Sequence, residues 1–344
     1  MRADVVLVAV VRTPRYRITA PFATNERTMP LPPVALAVVV PCYDEEQALK
    51  ESGERLVEFV QRLRRAGKAS DASRLYFVDD GSRDRTWAII CGIVSDGLPA
   101  VGIKLAHNVG HQKALLAGML AAEGDAVVTI DADLQDDLDA VERMVDRHRE
   151  GFDIVYGVRS ARAGDSAFKR VTAAAFYALA NALGAPTIRQ HADCRLMSRR
   201  AVESLRGFRE SNVFLRGLVP SLGFPSAVVE YERRPRSAGR TKYSLRRMIS
   251  LAADGVTSFS IVPLRIISFV GLVVFAGAMG CTAWALWVAL FTDRSVPGWA
   301  SVVLPLYFLG GVQLLALGVM GEYLGKIYIE VKGRPRYIVE EIRR

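Results

Sequence analysis

Val34 to Val40 is an unbroken apolar, largely β-branched run, the pattern of a strand covered on both faces. Asp44 to Arg65 then changes to helical spacing, with Leu49, Leu56, Phe59, Val60 and Leu63 on one side. The alternation continues. Strands are predicted at Leu75–Val78, Val101–Leu105, Ala126–Ile130 and Asp153–Tyr156, and helices at Thr86–Val94, Gln112–Ala122 and Leu138–Glu150. Strands alternating with helices imply an α/β fold, a mostly parallel sheet with helices on both faces. Such sheets bind ligands beyond the carboxyl ends of their strands. The acidic clusters Asp44–Glu46, Asp79-Asp80 and Asp131 with Asp133 all fall at that edge. After about residue 158 the pattern changes. Ala167–Leu183 and Tyr243–Ser260 read as amphipathic helices, either lying in a membrane interface or packed on the domain, and the second directly precedes an apolar run.

Two stretches have no charged residue at all, Ile266–Thr292 and Ser295–Gly321, with only Asp293 and Arg294 between them. Each exceeds the roughly 20 residues that cross about 30 Å of hydrocarbon. They read as a two-helix transmembrane hairpin rather than buried core helices, with Pro297 and Gly298 near its turn. Disorder is excluded by a composition that is 51% hydrophobic, and the remainder is too polar to supply further spans. The predicted organisation is an N-terminal extension (1–33), a catalytic domain (34–232), a basic loop and juxtamembrane helix (233–265), spans at 266–292 and 295–321, and a tail (322–344). Residues 1–29 read as disordered, Val5–Val11 is too short for a secretory signal, and Met29 is an alternative start.

Charge orients this arrangement. Residues 1–232 balance 30 basic against 30 acidic residues, so the net charge of +9 lies beside the apolar runs. Arg233–Arg247 holds seven basic residues and no acidic one. The positive-inside rule puts both flanks, both termini and the large domain in the cytoplasm, on an inner or plasma membrane. Crowding of the basic residues at the spans argues for membrane lipids, and against nucleic acid, as their partner. The four cysteines show no paired spacing, which fits a reducing compartment and suggests neither disulfides nor a zinc site.

The strongest chemical feature is Asp131-Ala132-Asp133-Leu134-Gln135 after an apolar strand. Two carboxylates at that spacing can converge on Mg²⁺ or Mn²⁺, hard cations that keep sites for phosphate oxygens. Asp79-Asp80-Gly81-Ser82 can accept hydrogen bonds from a nucleoside or can form an Asx turn, with Asp84 capping the next helix. His107 and His111 are four apart, but no third ligand accompanies them as a metal pair. Gly110, Ala114 and Gly118 form a small face suited to close helix packing.

Five segments in order resemble one family: Val40-Pro-Cys-Tyr-Asp-Glu-Glu46, Asp79-Asp-Gly-Ser82, Asn108-Val-Gly110 with Ala114 and Gly118, Asp131-Ala-Asp-Leu-Gln135, and Arg236-Ser-Ala-Gly-Arg-Thr-Lys242. Residues 34–344 look like a family 2 glycosyltransferase of GT-A (Rossmann-like) fold, in the branch of polyprenyl-phosphate glycosyltransferases. The resemblance implies nucleotide-sugar contacts from Pro41, Tyr43, Glu45, Val78, Asp80, Asp131, Ala132 and Arg159. It implies a metal held by Asp131 and Asp133, with Gln135 as a further ligand. Asp133, Asp193, Arg195, Arg236 and Lys242 are the implied catalytic set. Two departures stand out. Asp44 occupies a position usually held by Asn, and Gln190-His-Ala-Asp-Cys-Arg195 keeps only Asp193 and Arg195 of the usual Asp-x-Gly-Asp-Phe-Arg segment.

The expected reaction is inverting transfer of a hexose from a nucleotide sugar to polyprenyl phosphate on the cytoplasmic leaflet. UDP-glucose is the first donor and GDP-mannose the second. A lipid phosphate with a second pKa near ~6 is largely ionised and needs little help from a base, so Asp193 is either that base or the group that orients Arg195. Another lipid-linked acceptor and a non-catalytic membrane adaptor are the competing readings. The chain lacks the Gln-x-x-Arg-Trp motif of processive synthases, and the intact Asp131/Asp133 pair argues against an adaptor. A homo-oligomer is a family expectation.

Overall fold

The computed structural model describes residues 32–159, 191–232, 262–291 and 298–344. The interfacial helices expected at 167–183 and 243–260, the basic pair Arg236 and Lys242, and most of the N-terminal extension lie outside them.

The elements run β1 (Leu36–Cys42), α1 (Leu49–Arg65), β2 (Arg74–Asp79), α2 (Thr86–Ser95), β3 (Ala100–Leu105), α3 (His111–Ala121), β4 (Ala126–Thr129), α4 (Leu138–Arg149) and β5 (Ile154–Arg159). After the undescribed gap come β6 (His191–Ser198), α5 (Arg199–Ser204), α6 (Leu215–Ser221), β7 (Ser226–Tyr231), α7 (Val262–Phe291), α8 (Trp299–Val331) and β8 (Val339–Arg343). The strands form one sheet in the order β7-β5-β6-β4-β1-β2-β3-β8. Its centre, β4-β1-β2-β3, is parallel as the alternation predicts. The whole sheet is mixed but mostly parallel: β7 runs parallel to β5, whereas β6 runs antiparallel to both β4 and β5, and β8 runs antiparallel to β3.

Every residue of β1 is buried, and successive side chains enter opposite cores. Leu36, Val38 and Val40 join Leu75, Phe77 and α1 residues such as Leu56 and Phe59. Ala37 and Val39 join Tyr76, Val78 and α3 residues such as Leu115 and Met119. This period of two, apolar on both faces, is what an unbroken Val-rich run encodes.

The C-terminal region departs from the expected tail. Helix α8 continues to Val331, and 339–343 returns as an edge strand, with Ile342 opposite Ile103. Glu330, at the end of α8, accepts the Ser211 N–H at 2.8 and 2.9 Å, and Arg336 donates to the Phe208 carbonyl at 2.7 Å. Helices α7 and α8 touch one another. They expose Phe269, Leu272, Trp284, Trp287, Leu314 and Leu315. Within α8, Phe308–Val331 is long and apolar enough to cross a membrane.

Candidate active site

The site forms where β1, β2 and β4 end. There the chain leaves β1 through Asp44, whose φ is 52°, and leaves β4 through Leu134, whose φ is 44°. Left-handed backbone costs a non-glycine residue about 1–2 kcal/mol. Asn and Asp tolerate it best, which explains how Asp44 can stand where the family usually has Asn. Leu134 is a costlier occupant, buried and held by its N–H on the Asp131 carbonyl at 3.2 Å. The strain thus lies within the two loops expected to meet the donor.

The loops after β1 and β2 are laced together. Asp44 N–H donates to Ser82 Oγ (3.1 Å), Arg83 N–H to Asp44 Oδ1 (2.8 Å), and Glu45 N–H to Thr86 Oγ1 (2.9 Å). Asp84 accepts the Thr86 N–H at 2.9 Å and the Glu46 N–H at 3.1 Å, an Asx turn leading into α2, whose N-cap position is Arg85 rather than Asp84. Asp80 is buried, and its two oxygens accept the Val109 and Gly110 N–H groups at 2.8 and 3.0 Å. Burial raises its pKa against those two hydrogen bonds. Asp80 thereby ties the β2 turn to the start of α3. Val78 is fully buried beneath α3, Pro41 is buried at the end of β1, and Tyr43 is exposed beside them.

The second half of the site depends on the antiparallel strand β6. Its register pairs Arg195 with Thr129, so the chain direction sets Asp193 against the Asp131 end of β4. Four side chains converge on the Asp193 carboxylate. Oδ1 accepts from Arg195 Nη2 (3.0 Å), Arg216 Nε (3.0 Å) and Gln112 Nε2 (3.2 Å). Oδ2 accepts from Arg216 Nη2 at 2.8 Å and faces His111 Nε2 at 3.4 Å. His111 Nε2 also lies 3.6 Å from Asp131 Oδ1, so one imidazole spans the two carboxylates.

Electrostatics separate these two aspartates. Burial disfavours charge on both. At Asp193 the His111 and Arg216 hydrogen bonds and the Arg216 and Arg195 charges overcome it, holding the carboxyl well below its usual range. At Asp131 burial dominates; His111 opposes it, and Asp136, Asp193 and Asp133 add to it, giving a pKa of about 6. Burial works against a charged His111, but its carboxylate neighbours prevail and raise its pKa.

Asp133 receives the Gln135 N–H at 3.3 Å and its Nε2 at 2.7 Å, so Gln135 is turned onto Asp133 and orients it. Ala132 is buried between the two aspartates. Among the described residues, no group of three or more His, Cys, Asp or Glu side chains is arranged to enclose a metal. The donor set suits an open site: hard carboxylate oxygens from Asp131 and Asp133, with coordination positions left for phosphate oxygens. Arg159 closes β5, opposite Tyr231 of β7.

Arg195, one of the implied catalytic set, is fully buried, and its guanidinium bonds the Leu215 carbonyl (3.1 Å) and Asp193, so it cannot reach an incoming substrate. Sequence reasoning missed Arg216 and Gln112 and set His111 aside. The start of α3 signalled the last two, whereas nothing local marks Arg216.

The glycosyl transferase family 2 model matches residues 37–206. A Bacillus subtilis (strain 168) relative described as uncharacterized glycosyltransferase YkoT is 46% identical over 309 residues, 89% of this chain and 91% of its own. The chain belongs to glycosyl transferase family 2. The prophage bactoprenol glucosyl transferase homolog of Escherichia coli (strain K12) is 38% identical to this glycosyltransferase, across 90% of the chain and 99% of the relative. Among solved structures, the mannosyltransferase PcManGT from Pyrobaculum calidifontis, in complex with GDP-Man and Mn²⁺, is similar at 17% identity and a TM-score of 0.46, covering 88% of this chain and 86% of its own.

Proposed function

We propose that this family 2 glycosyltransferase moves glucose from UDP-glucose to a bactoprenol-type polyprenyl phosphate, with inversion, at the cytoplasmic face of a membrane that α7 and α8 cross as a hairpin. The observation that carries the reading is the Asp131/Asp133 pair at the end of β4, facing the Asp193 cluster across His111. Near full-length similarity to proteins named bactoprenol glucosyl transferases supports the acceptor and the sugar. The exposed apolar surfaces of α7 and α8 support the anchor.

Asp131 and Asp133 would hold Mg²⁺ or Mn²⁺, with Gln135 fixing the rotamer of Asp133. When bound, the cation neutralises charge developing on the diphosphate leaving group. The laced β1 and β2 loops, with Pro41, Tyr43, Glu45 and the Asp80 turn, form the nucleotide side. Arg159, Arg236 and Lys242 are assigned to the phosphates. Asp193 serves as a positioning group: its depressed pKa makes it a weak base, and an ionised lipid phosphate needs none. The acceptor oxygen attacks the anomeric carbon as the bond to the nucleoside diphosphate breaks, so no proton has to be moved.

The test is transfer of labelled glucose to undecaprenyl phosphate by the full chain in nanodiscs with Mn²⁺ or Mg²⁺. Transfer that is lost in Asp133→Ala, with UDP binding retained, is expected. No product from UDP-glucose, or full activity in that variant, overturns the reading.

A further inference from the structure

We infer that Arg216 receives the acceptor's phosphate, a duty that the buried Arg195 cannot perform. The inference rests on the proposed function and adds a residue to it. Arg195 is enclosed on all sides, and its guanidinium is committed to Leu215 and Asp193. Arg216 shares the same carboxylate, yet 43% of its side chain is exposed. Two parallel hydrogen bonds, from Nε and Nη2, fix the plane of its guanidinium on Asp193. A planar cation locked in this way at a surface is suited to a phosphate, and its rotamer entropy is spent before the ligand arrives.

Placement favours the acceptor over the donor. The donor's diphosphate belongs with Asp131 and Asp133, and Arg216 lies beyond His111 and Asp193 from them. The segment leading into α6 is clamped to the membrane helix. Phe208 accepts from Arg336, and Ser211 donates to Glu330 at the end of α8. Arg216, five residues after Ser211, is thereby tied to the end of α8, where the proposed anchor meets the domain.

The experiment compares wild type, Arg216→Gln and Arg216→Lys as full chains in nanodiscs. The expected result for Arg216→Gln is a rise of about tenfold or more in KM for undecaprenyl phosphate, consistent with losing a charge-assisted hydrogen bond. KM for UDP-glucose should stay within about twofold and the melting temperature close to wild type, since Arg195, Gln112 and His111 still hold Asp193. Arg216→Lys keeps the charge without the fork and should fall between the two. An unchanged acceptor KM, or equal losses for both substrates, overturns the inference. A second arm measures binding of farnesyl phosphate against farnesol without donor. If wild type transfers no glucose but binds farnesyl phosphate through Arg216, the inference stands and the donor assignment fails. If the phosphate confers no advantage over the alcohol, the inference fails by itself.

Discussion

Two aspartates a few ångströms from one imidazole respond to pH in opposite senses. Asp131 has a folded pKa of about 6 against an ordinary 3.8, so without ligand its ionisation opposes folding. The stability of the uncharged form is fully present below about pH 4 and is lost as pH rises through about 6, a change on the order of 3 kcal/mol. Asp131→Asn should therefore raise the melting temperature of the metal-free protein at pH 7 while abolishing transfer, and a calorimetric pH series reads both limbs. A lower melting temperature in that variant would contradict the assignment. Asp193 has the reverse sign: its depressed pKa adds stability above the unfolded value, lost on acidification. Asp193→Asn leaves Arg195 charged and uncompensated in the core, at a cost of about 3–5 kcal/mol. A catalytic base would instead lose turnover without losing stability, so denaturant unfolding beside a kinetic assay distinguishes the two duties.

The small face of α3 carries its own test at the scale of elements. A Cβ on Gly118 would lie 2.4 Å from Val39 Cγ1 and 2.7 Å from Val78 Cγ2, both on rigid β-branched side chains at the sheet centre. Gly118→Ala should cost about 1–3 kcal/mol. It should also slow transfer, because lifting α3 displaces His111 and the amides that Asp80 holds. Gly92→Ala in α2, where nothing lies within 4 Å, serves as the control and should be neutral to slightly stabilising in the same thermal melts. The central strands and their helices were legible because each had its own periodicity. Val34–Val40 and the Leu49-to-Leu63 stripe needed no information from elsewhere in the chain. The β4 loop was legible for the same reason, since Asp131, Asp133 and Gln135 are neighbours. The Asp193 cluster was not: Gln112, Asp193 and Arg216 come from α3, β6 and α6, and meet only because β6 runs antiparallel to β4. Likewise, nothing in Arg195 itself says that its charge is buried. That follows from Leu215, which arrives twenty residues later in the chain.

At the scale of the molecule, β8 escaped the sequence reading because Val339–Arg343 is short, half charged and separated from β3 by the apolar helices. Its contribution lies in covering an edge. Ending the chain after Tyr337 should expose the β3 backbone, lower the melting temperature and promote self-association, as seen by light scattering. The flanking ion pairs Lys104–Glu340 (2.9 Å) and Arg344–Glu123 (3.1 Å) are largely exposed. Removing them alone, as Lys104→Ala with Glu123→Ala, should leave the melting temperature nearly unchanged.

Ile103 pairs with Ile342, near the opposite end of the chain. During synthesis, β3 leaves the ribosome long before its neighbour exists, and the last strand emerges only after both long helices have been made. The sheet is therefore completed only after α7 and α8 have been made. A chain stalled or cut within its helices would carry the laced β1 and β2 loops on an open-edged sheet. The fold makes completion of the sheet conditional on synthesis of both long helices.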